Sequence, residues 1–295
     1  MGYEKIMNIK NWVPIVFASA CLASNVYSAP VTRVLNASSY KPTYDTIKAV
    51  LGPTATDEVP DEHFHLEAPV EHITTVYDQD LKKYVFEIAS HWNDGDYITG
   101  DPLRARTEIK VDKDSRLVVK EQGEATVWNF FIKLNEGFVA TDKWTHLFQA
   151  KAESLSGGSL DPRIRLSLYN KNGIPTLQLN NSDDSNGFNT LKSIDATQLI
   201  GQWIKVTLKA KWSDQGYLEF TLKKLSTGEA LINCKKTNID LWSNDWAYMR
   251  FKAGIYRAYS SLESSRESVS ARFSNIKLEK KKAIQYLNTL PECDG

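Results

Sequence analysis

From about residue 70 onward, polar and apolar residues alternate with period two through one segment after another, and this pattern limits the fold more than any other feature. "KYVFEIASHW", "LRARTEIKV", "ATVWNFFIKL", "HLFQAKAE", "RIRLSLYN", "IPTLQLN", "WIKVTLKAKW", "YLEFTLKKL", "YMRFKAGIYRA" and "ARFSNIKLE" all suit strands. Turn-forming stretches such as "NDGD", "LSGGSLDP", "NKNG" and "SDQG" separate them. No long helical period intervenes, so the expectation is an all-β antiparallel sandwich of the concanavalin A-like jelly-roll type. A chain of 295 residues, 42% hydrophobic, can bury the core of one such domain.

The remaining segments divide as follows. Lys5 and Lys10 precede the apolar run "WVPIVFASACLA", and small residues lead up to Ser28, so residues 1–28 read as an export signal cleaved after Ser28. A degenerate lipoprotein box ending at Cys21 is the weaker alternative, because Ala18 stands where such boxes place Leu. Residues 29–69 are rich in Pro, Thr and Asp, with one short helix at "YDTIKAVLG", and read as a leader wrapping the domain. Residues 70–280 form the jelly roll, and 281–295 a solvated tail. The expected location is extracellular or periplasmic, and no later stretch is long and apolar enough to span a membrane. Once the signal is removed, Cys234 and Cys293 remain; they are either bonded to each other or both reduced. Asn36 and Asn180 begin glycosylation sequons, which matter only in a eukaryotic secretory pathway.

The formal charge is zero, so no global field argues for nucleic acid, and attraction for an anion must be local. Several strand faces supply it. In "LRARTEIKV", Leu103, Ala105, Thr107, Ile109 and Val111 share one face, leaving Arg104, Arg106, Glu108 and Lys110 on the other. "RIRLSLYN" divides the same way, with Arg163, Arg165, Ser167 and Tyr169 facing away from Ile164, Leu166 and Leu168. "HLFQAKAE" places Gln149 and Lys151 opposite Phe148 and Ala150. In "RFKAGIYRAYS" the apolar residues Phe251, Ala253 and Ile255 back Arg250, Lys252, Gly254 and Tyr256. If these faces line one concave sheet, they form a groove for a polymer bearing carboxylates, with Gly254 leaving space for a sugar. Trp92, Trp128, Tyr169 and Tyr259 are candidate stacking surfaces. The cationic face of "WIKVTLKAKW", with Lys205, Lys209 and Lys211, reads as merely solvated.

Hydrolytic chemistry finds little support. Glycoside hydrolases need a carboxyl pair, and the candidate strands offer only Glu108 and Glu153. A serine-hydrolase elbow, a phosphate-binding loop and an HExxH helix are missing. His63 and His65 read as surface histidines rather than metal ligands, and "NDGD" as a turn before a calcium site. Elimination in a uronic acid polymer fits better. The proton on C5 becomes removable once cations or an amide neutralise the adjacent carboxylate, and in glucuronate and mannuronate it lies on the same ring face as O4. One tyrosine can then act as both base and acid if cations favour its phenolate, since a free phenol has a pKa near about 10. Tyr256, on the strand face of Arg250 and Lys252, is the candidate.

"THLFQAKAE", "NIDLW" and "YMRFKAGIYRA", with "RARTEIKV" upstream, resemble the glucuronan lyases of polysaccharide lyase family 20. More distantly they resemble the family 7 alginate lyases, whose signatures are Arg-[Thr/Ser]-Glu-x-Arg, Gln-[Ile/Val]-His and Tyr-x-Lys-x-Gly-x-Tyr. The resemblance runs from about residue 84 to 278. It implies that Arg106 and Glu108 belong to the first motif, with Lys110 at its end, and that Gln149 neutralises the substrate carboxylate. It further implies that Lys252, Gly254 and Tyr256 form the third motif, with Tyr256 as catalytic acid and base. Lys151 stands where the alginate-lyase motif places His, which disfavours a His-dependent anti elimination and leaves syn elimination intact.

The catalytic candidates are therefore Tyr256, Gln149, Arg106 and His91. Arg104, Glu108, Lys110, His146, Lys151, Arg165, Arg250 and Lys252 are the substrate-binding candidates. His91 is preferred for the groove because it lies on the Glu87 side of its strand and just before a turn, whereas parity places His146 with Phe148 and Ala150 on the core side. The expected function is an exported lyase of β-1,4-linked uronan, acting as a monomer without metal or cofactor. Glucuronan is the first substrate choice and polymannuronate the second. A non-catalytic lectin-like binder and an inactive structural relative are the rival readings.

Overall fold

The computed structural model describes Met1 and residues 30–63, 71–91, 97–98, 101–171, 173–182, 187–260, 267–282, 284 and 289–293. The export signal with Cys21, the candidate platform Trp92, the "NDGD" turn, His65 and the side chain of His63 lie outside the described residues. The strands are β1 (Val31–Leu35), β2 (Ile73–Asp78), β3 (Lys83–Ser90), β4 (Tyr97–Ile98), β5 (Asp101–Lys110), β6 (Ala125–Leu134), β7 (Trp144–Ser154) and β8 (Ser159–Lys171). They continue as β9 (Ile174–Ser182), β10 (Phe188–Asp195), β11 (Ile204–Lys211), β12 (Gly216–Lys224), β13 (Ala230–Ile239), β14 (Trp246–Ala258) and β15 (Val269–Lys281). One sheet has the order β13-β12-β11-β6-β15-β3-β2, with β1 beside β3 on the same flank of β15. The other runs β10-β9-β8-β7-β14-β5-β4. All strand pairings are antiparallel, and the two sheets form the jelly-roll sandwich that the alternation predicts.

The two inner faces meet through aromatic side chains. Trp128 and Phe130 of β6 pack against Phe148 of β7 and Phe251 of β14, with ring centroids 5.5–5.9 Å apart. Such pairs prefer edge-on and tilted geometry, and these adopt it. Trp128 and Tyr259 are buried, which removes them as sugar platforms.

The strands that the alternation does not pick out are β1, β2, β4, β10 and β13. Four of them, β2, β4, β10 and β13, are sheet edges. An edge strand buries fewer residues, so its apolar positions are sparse; β10 buries only Leu191. The edge at β13 is covered by the C-terminal segment. Cys293 is bonded to Cys234, its N–H donates to the Lys235 carbonyl (2.7 Å), and the Lys235 N–H donates to the Pro291 carbonyl (2.9 Å). Pro291 and Cys293 are therefore anchored to this edge. Asn180 is buried in β9 and donates to Thr190 Oγ1 (3.0 Å), which removes the second sequon; Asn36 is exposed.

The leader contributes α1 (Thr43–Leu51), entered through Pro42 and closed at Gly52. It buries Ile47 and Leu51 on one side, and Asp45 in the first turn and Lys48 in the last complement the helix dipole. The chain beyond it runs along the outer half of β5. The amides of Asp112, Lys110 and Glu108 donate to the carbonyls of Leu51 (2.9 Å), Ala55 (3.0 Å) and Glu58 (3.2 Å). Gly52 is required there: its φ is +111°, and a Cβ would lie 2.2 Å from Asp112 Cβ. Among the described residues no helix is long and apolar enough to cross a membrane.

Candidate active site

The four candidate strands are neighbours in one sheet, in the order β8-β7-β14-β5. Across β14, Lys252 stands opposite Lys110 and Gln149, and Tyr256 opposite Arg106 and His146. One strand further, Gln149 faces Arg165 and His146 faces Ser167. The polar faces open into a groove of about 480 Å³. Arg104, Arg106, His146, Gln149, Lys151, Arg165, Arg250, Lys252 and Tyr256 line it, while Glu108 and Lys110 lie buried beside it.

His91 is not there. It follows β3 in the opposite sheet, its ring 4.7 Å from that of His72. The groove histidine is His146, and the reason is a pair of irregularities that parity counting cannot see. Between Phe148 and His146, β7 advances two residues while β14 advances three and β8 one. Leu147 and Phe148 consequently both point into the core, and His146 turns to the groove. Gly254 lies in this irregular stretch. Its φ is +151°, and a Cβ would meet Thr107 O at 2.2 Å and Glu108 Cα at 2.7 Å. Its smallness serves the close approach of β14 to β5 and not, as the sequence suggested, room for a sugar.

Around Tyr256, the Arg104 Nη1 donates to the phenolic oxygen (3.5 Å), and the Arg106 guanidinium lies 5.4 Å from the ring centroid. Trp144 meets the ring edge-on at 4.8 Å, and His146 does so at 5.8 Å. His146 stacks on Trp144 (4.1 Å) and shares a hydrogen bond with Ser167 Oγ through Nδ1 (2.7 Å). Burial, reinforced by Arg165, Lys252, Lys151 and Arg104, holds its pKa well below the ordinary value, so the imidazole is neutral at neutral pH.

The cations do not all stand free. Lys252, only 2% exposed, reaches Glu108 Oε2 (2.8 Å) and also Glu58. Gln149 Nε2 donates to the other oxygen of Glu108 (2.5 Å). Glu58 further meets Lys110 (3.4 Å) and Arg106 (3.6 Å). Burial pushes the Glu58 carboxyl up, but Lys252, Arg106 and Lys110 outweigh it and hold the group well below the usual carboxylate range. At the far end Arg250 is paired with Glu153, which also accepts from the Tyr248 hydroxyl (2.5 Å). Glu58 was not picked out from the sequence, since "TDEVP" carries no periodicity and its partners lie some fifty and two hundred residues away, as the Glu58 to Lys110 and Glu58 to Lys252 pairs show.

Lys151 and Arg165 differ from these. Among the described residues neither has a carboxylate within ion-pair distance; Lys151 donates to the Leu160 carbonyl, and Arg165 lies flat on Phe188 at 3.3 Å. Burial, with Lys252 nearby, lowers the Lys151 pKa to about 8, and burial also lowers that of Arg165. The groove thus holds two cations with no carboxylate in ion-pair contact among the described residues, although Asp161 on the groove wall acts on both, together with a tyrosine whose oxygen accepts from an arginine. Such a site can hold a carboxylate and transfer a proton beside it.

Comparison with solved structures shows the same fold. An endo-β-1,4-glucuronan lyase from the fungus Trichoderma reesei superposes with a TM-score of 0.50 at 16% identity, covering 70% of this chain and 85% of that one. Alginate lyase A1-II', a member of polysaccharide lyase family 7, gives a TM-score of 0.50 at 14% identity over 76% of this chain and 96% of its own. The same enzyme in complex with substrate gives 0.51 at 12%, over 74% and 85%. No curated protein matches the chain. Residues 72–277, which span both sheets and every groove-lining strand, match the family described as polysaccharide lyase, and the chain belongs to that family: it is a polysaccharide lyase.

Proposed function

We propose that this lyase cleaves β-1,4-linked glucuronan by syn β-elimination. The observation that carries the reading is the presence in one groove of Tyr256, its oxygen accepting from Arg104, with Lys151 and Arg165, neither of which is in an ion pair among the described residues. Lys151 and Arg165 bind the carboxylate of the reacting sugar and stabilise the charge that develops on it. The Tyr256 phenolate removes the C5 proton, and the electron pair left on C5 forms the C4–C5 double bond. The C4–O4 bond breaks, and O4 takes the proton back from Tyr256. Arg104 donates to the Tyr256 oxygen, and Arg106, Trp144 and neutral His146 surround the ring.

Syn geometry is supported by Lys151 at the position where the alginate-lyase motif has His, and a glucuronan lyase shares the fold. Polymannuronate places H5 and O4 in the same relation and is the second substrate choice. Residues 1–28 are read as an export signal, and the bonded pair Cys234–Cys293 agrees with an oxidising compartment. The test is incubation with glucuronan, polymannuronate and polyguluronate while following the ultraviolet absorbance of the unsaturated uronyl product. Fastest release from glucuronan supports the reading. Activity confined to polyguluronate, or binding of all three without product, overturns it.

A further inference from the structure

A carboxylate in the wall of a groove built to attract carboxylates weakens that attraction, and its presence calls for a cause. Glu58 is such a group. It arrives from outside the two sheets, on the segment between α1 and the short 3-10 turn Pro60–His63, and its backbone is bonded to β5 beside Glu108. Its side chain touches Lys252 of β14 and Lys110 and Arg106 of β5. Neutralising Lys252 does not require it, because Glu108 already lies 2.8 Å from that ammonium.

Its effect is on where positive charge remains. Lys110, Arg106 and Lys252 share two internal carboxylates, Glu58 and Glu108, so each of these three cations on the β5–β14 side of the groove is held in an ion pair. Lys151 and Arg165, on β7 and β8, have no carboxylate in ion-pair contact among the described residues and feel Asp161 of the groove wall, and in the case of Lys151 also Glu58 and Glu108, only beyond that distance. A polymer with a carboxylate on every sugar can slide along a uniformly cationic groove. A groove charged at one place holds it in one register, and register decides whether H5 lies over Tyr256.

We infer that Glu58 is a positioning residue that sets substrate register, by silencing Arg106, Lys110 and Lys252 so that the reacting carboxylate is taken by Lys151 and Arg165. The inference rests on the proposed uronan lyase reading. It makes the leader part of the active site, although the family match begins after it, at residue 72.

The test uses the full chain with Glu58→Gln and Glu58→Asp. Relieving the three cations of one negative charge adds attraction for the polymer but in competing registers. Glu58→Gln is therefore expected to bind oligoglucuronate at least about threefold tighter, with a steeper loss of affinity on adding salt. Its kcat falls at least about tenfold, so KM and kcat drop together, and Glu58→Asp restores both. A purely structural role would instead raise KM and lower the melting temperature. Affinity and salt dependence equal to the wild type, or an affinity loss that parallels the melting temperature, overturn the inference. If the wild type releases no unsaturated product from any uronan, the functional reading falls, while calorimetric binding and its salt dependence still decide the role of Glu58.

Discussion

Tyr256 and His146 stand opposite each other across the β14–β7 ladder, ring centroids 5.8 Å apart, in a stretch where three adjacent strands advance by different numbers of residues. The proposed proton-transfer residue thus leans on an imidazole that simple alternation would have sent to the core. The irregular stretch is as much a part of the site as the side chains it presents.

Tyr256→Phe removes only the hydroxyl. We expect kcat to fall by about 10²–10⁴-fold with oligosaccharide binding retained, because the ring contacts to Trp144 and His146 survive. Steady-state kinetics beside calorimetric binding checks this, and substantial residual turnover would remove Tyr256 from the chemistry.

Lys151 sets an alkaline limb. Its pKa is lowered to about 8, so raising the pH through that value removes one of the two charges proposed to bind the carboxylate, and kcat/KM should fall above it. The fold responds in the opposite sense. Between pH 8 and the ordinary lysine value of 10.5 the unfolded chain binds more protons than the folded one, so this residue's contribution to stability rises with pH. Lys151→Arg, charged throughout, should move the kinetic limb to higher pH. Parallel pH profiles of kcat/KM and melting temperature decide the matter.

Gly254→Ala should destabilise the fold by about 2–4 kcal/mol, since the methyl group meets Thr107 O at 2.2 Å and the backbone is held at φ +151°. Urea unfolding measures it. Because Tyr256 is two residues on, kcat should drop more steeply than stability alone would dictate.

Cys234→Ser with Cys293→Ser should cost about 2–4 kcal/mol in reversible unfolding. The bond ties the tail to β13, at the far edge of the sheet opposite the groove. Turnover at a temperature where the variant stays folded is therefore expected to match the wild type.

The class of fold and the composition of the groove were legible because both depend on short-range periodicity. Alternation in "LRARTEIKV", "HLFQAKAE", "RIRLSLYN" and "YMRFKAGIYRA" separates core from groove without knowledge of any partner strand. His146 was misplaced because parity assumes unbroken pleating, and one extra residue reverses every side chain beyond it. His91 was favoured by its place next to a turn, but the strand it follows, β3, belongs to the other sheet. The role of Gly254 was misread because the obstacle beside it is the backbone of β5, about 150 positions distant in sequence, as the Gly254 to Glu108 pairing shows.

The sequence by itself determined that this chain forms a β-sandwich with cations, a glutamine and a tyrosine on adjoining strand faces, since hydrophobic burial acts residue by residue along each strand. Only the tertiary structure decided which of the groove's cations are held in ion pairs. Charge pairing depends on distance in space, and Glu58, Glu108 and Glu153 reach Lys252, Lys110, Arg106 and Arg250 only after the leader and the strands β5, β7 and β14 have assembled. What is left, Lys151 and Arg165 beside Tyr256, is a property of the fold and of no single segment.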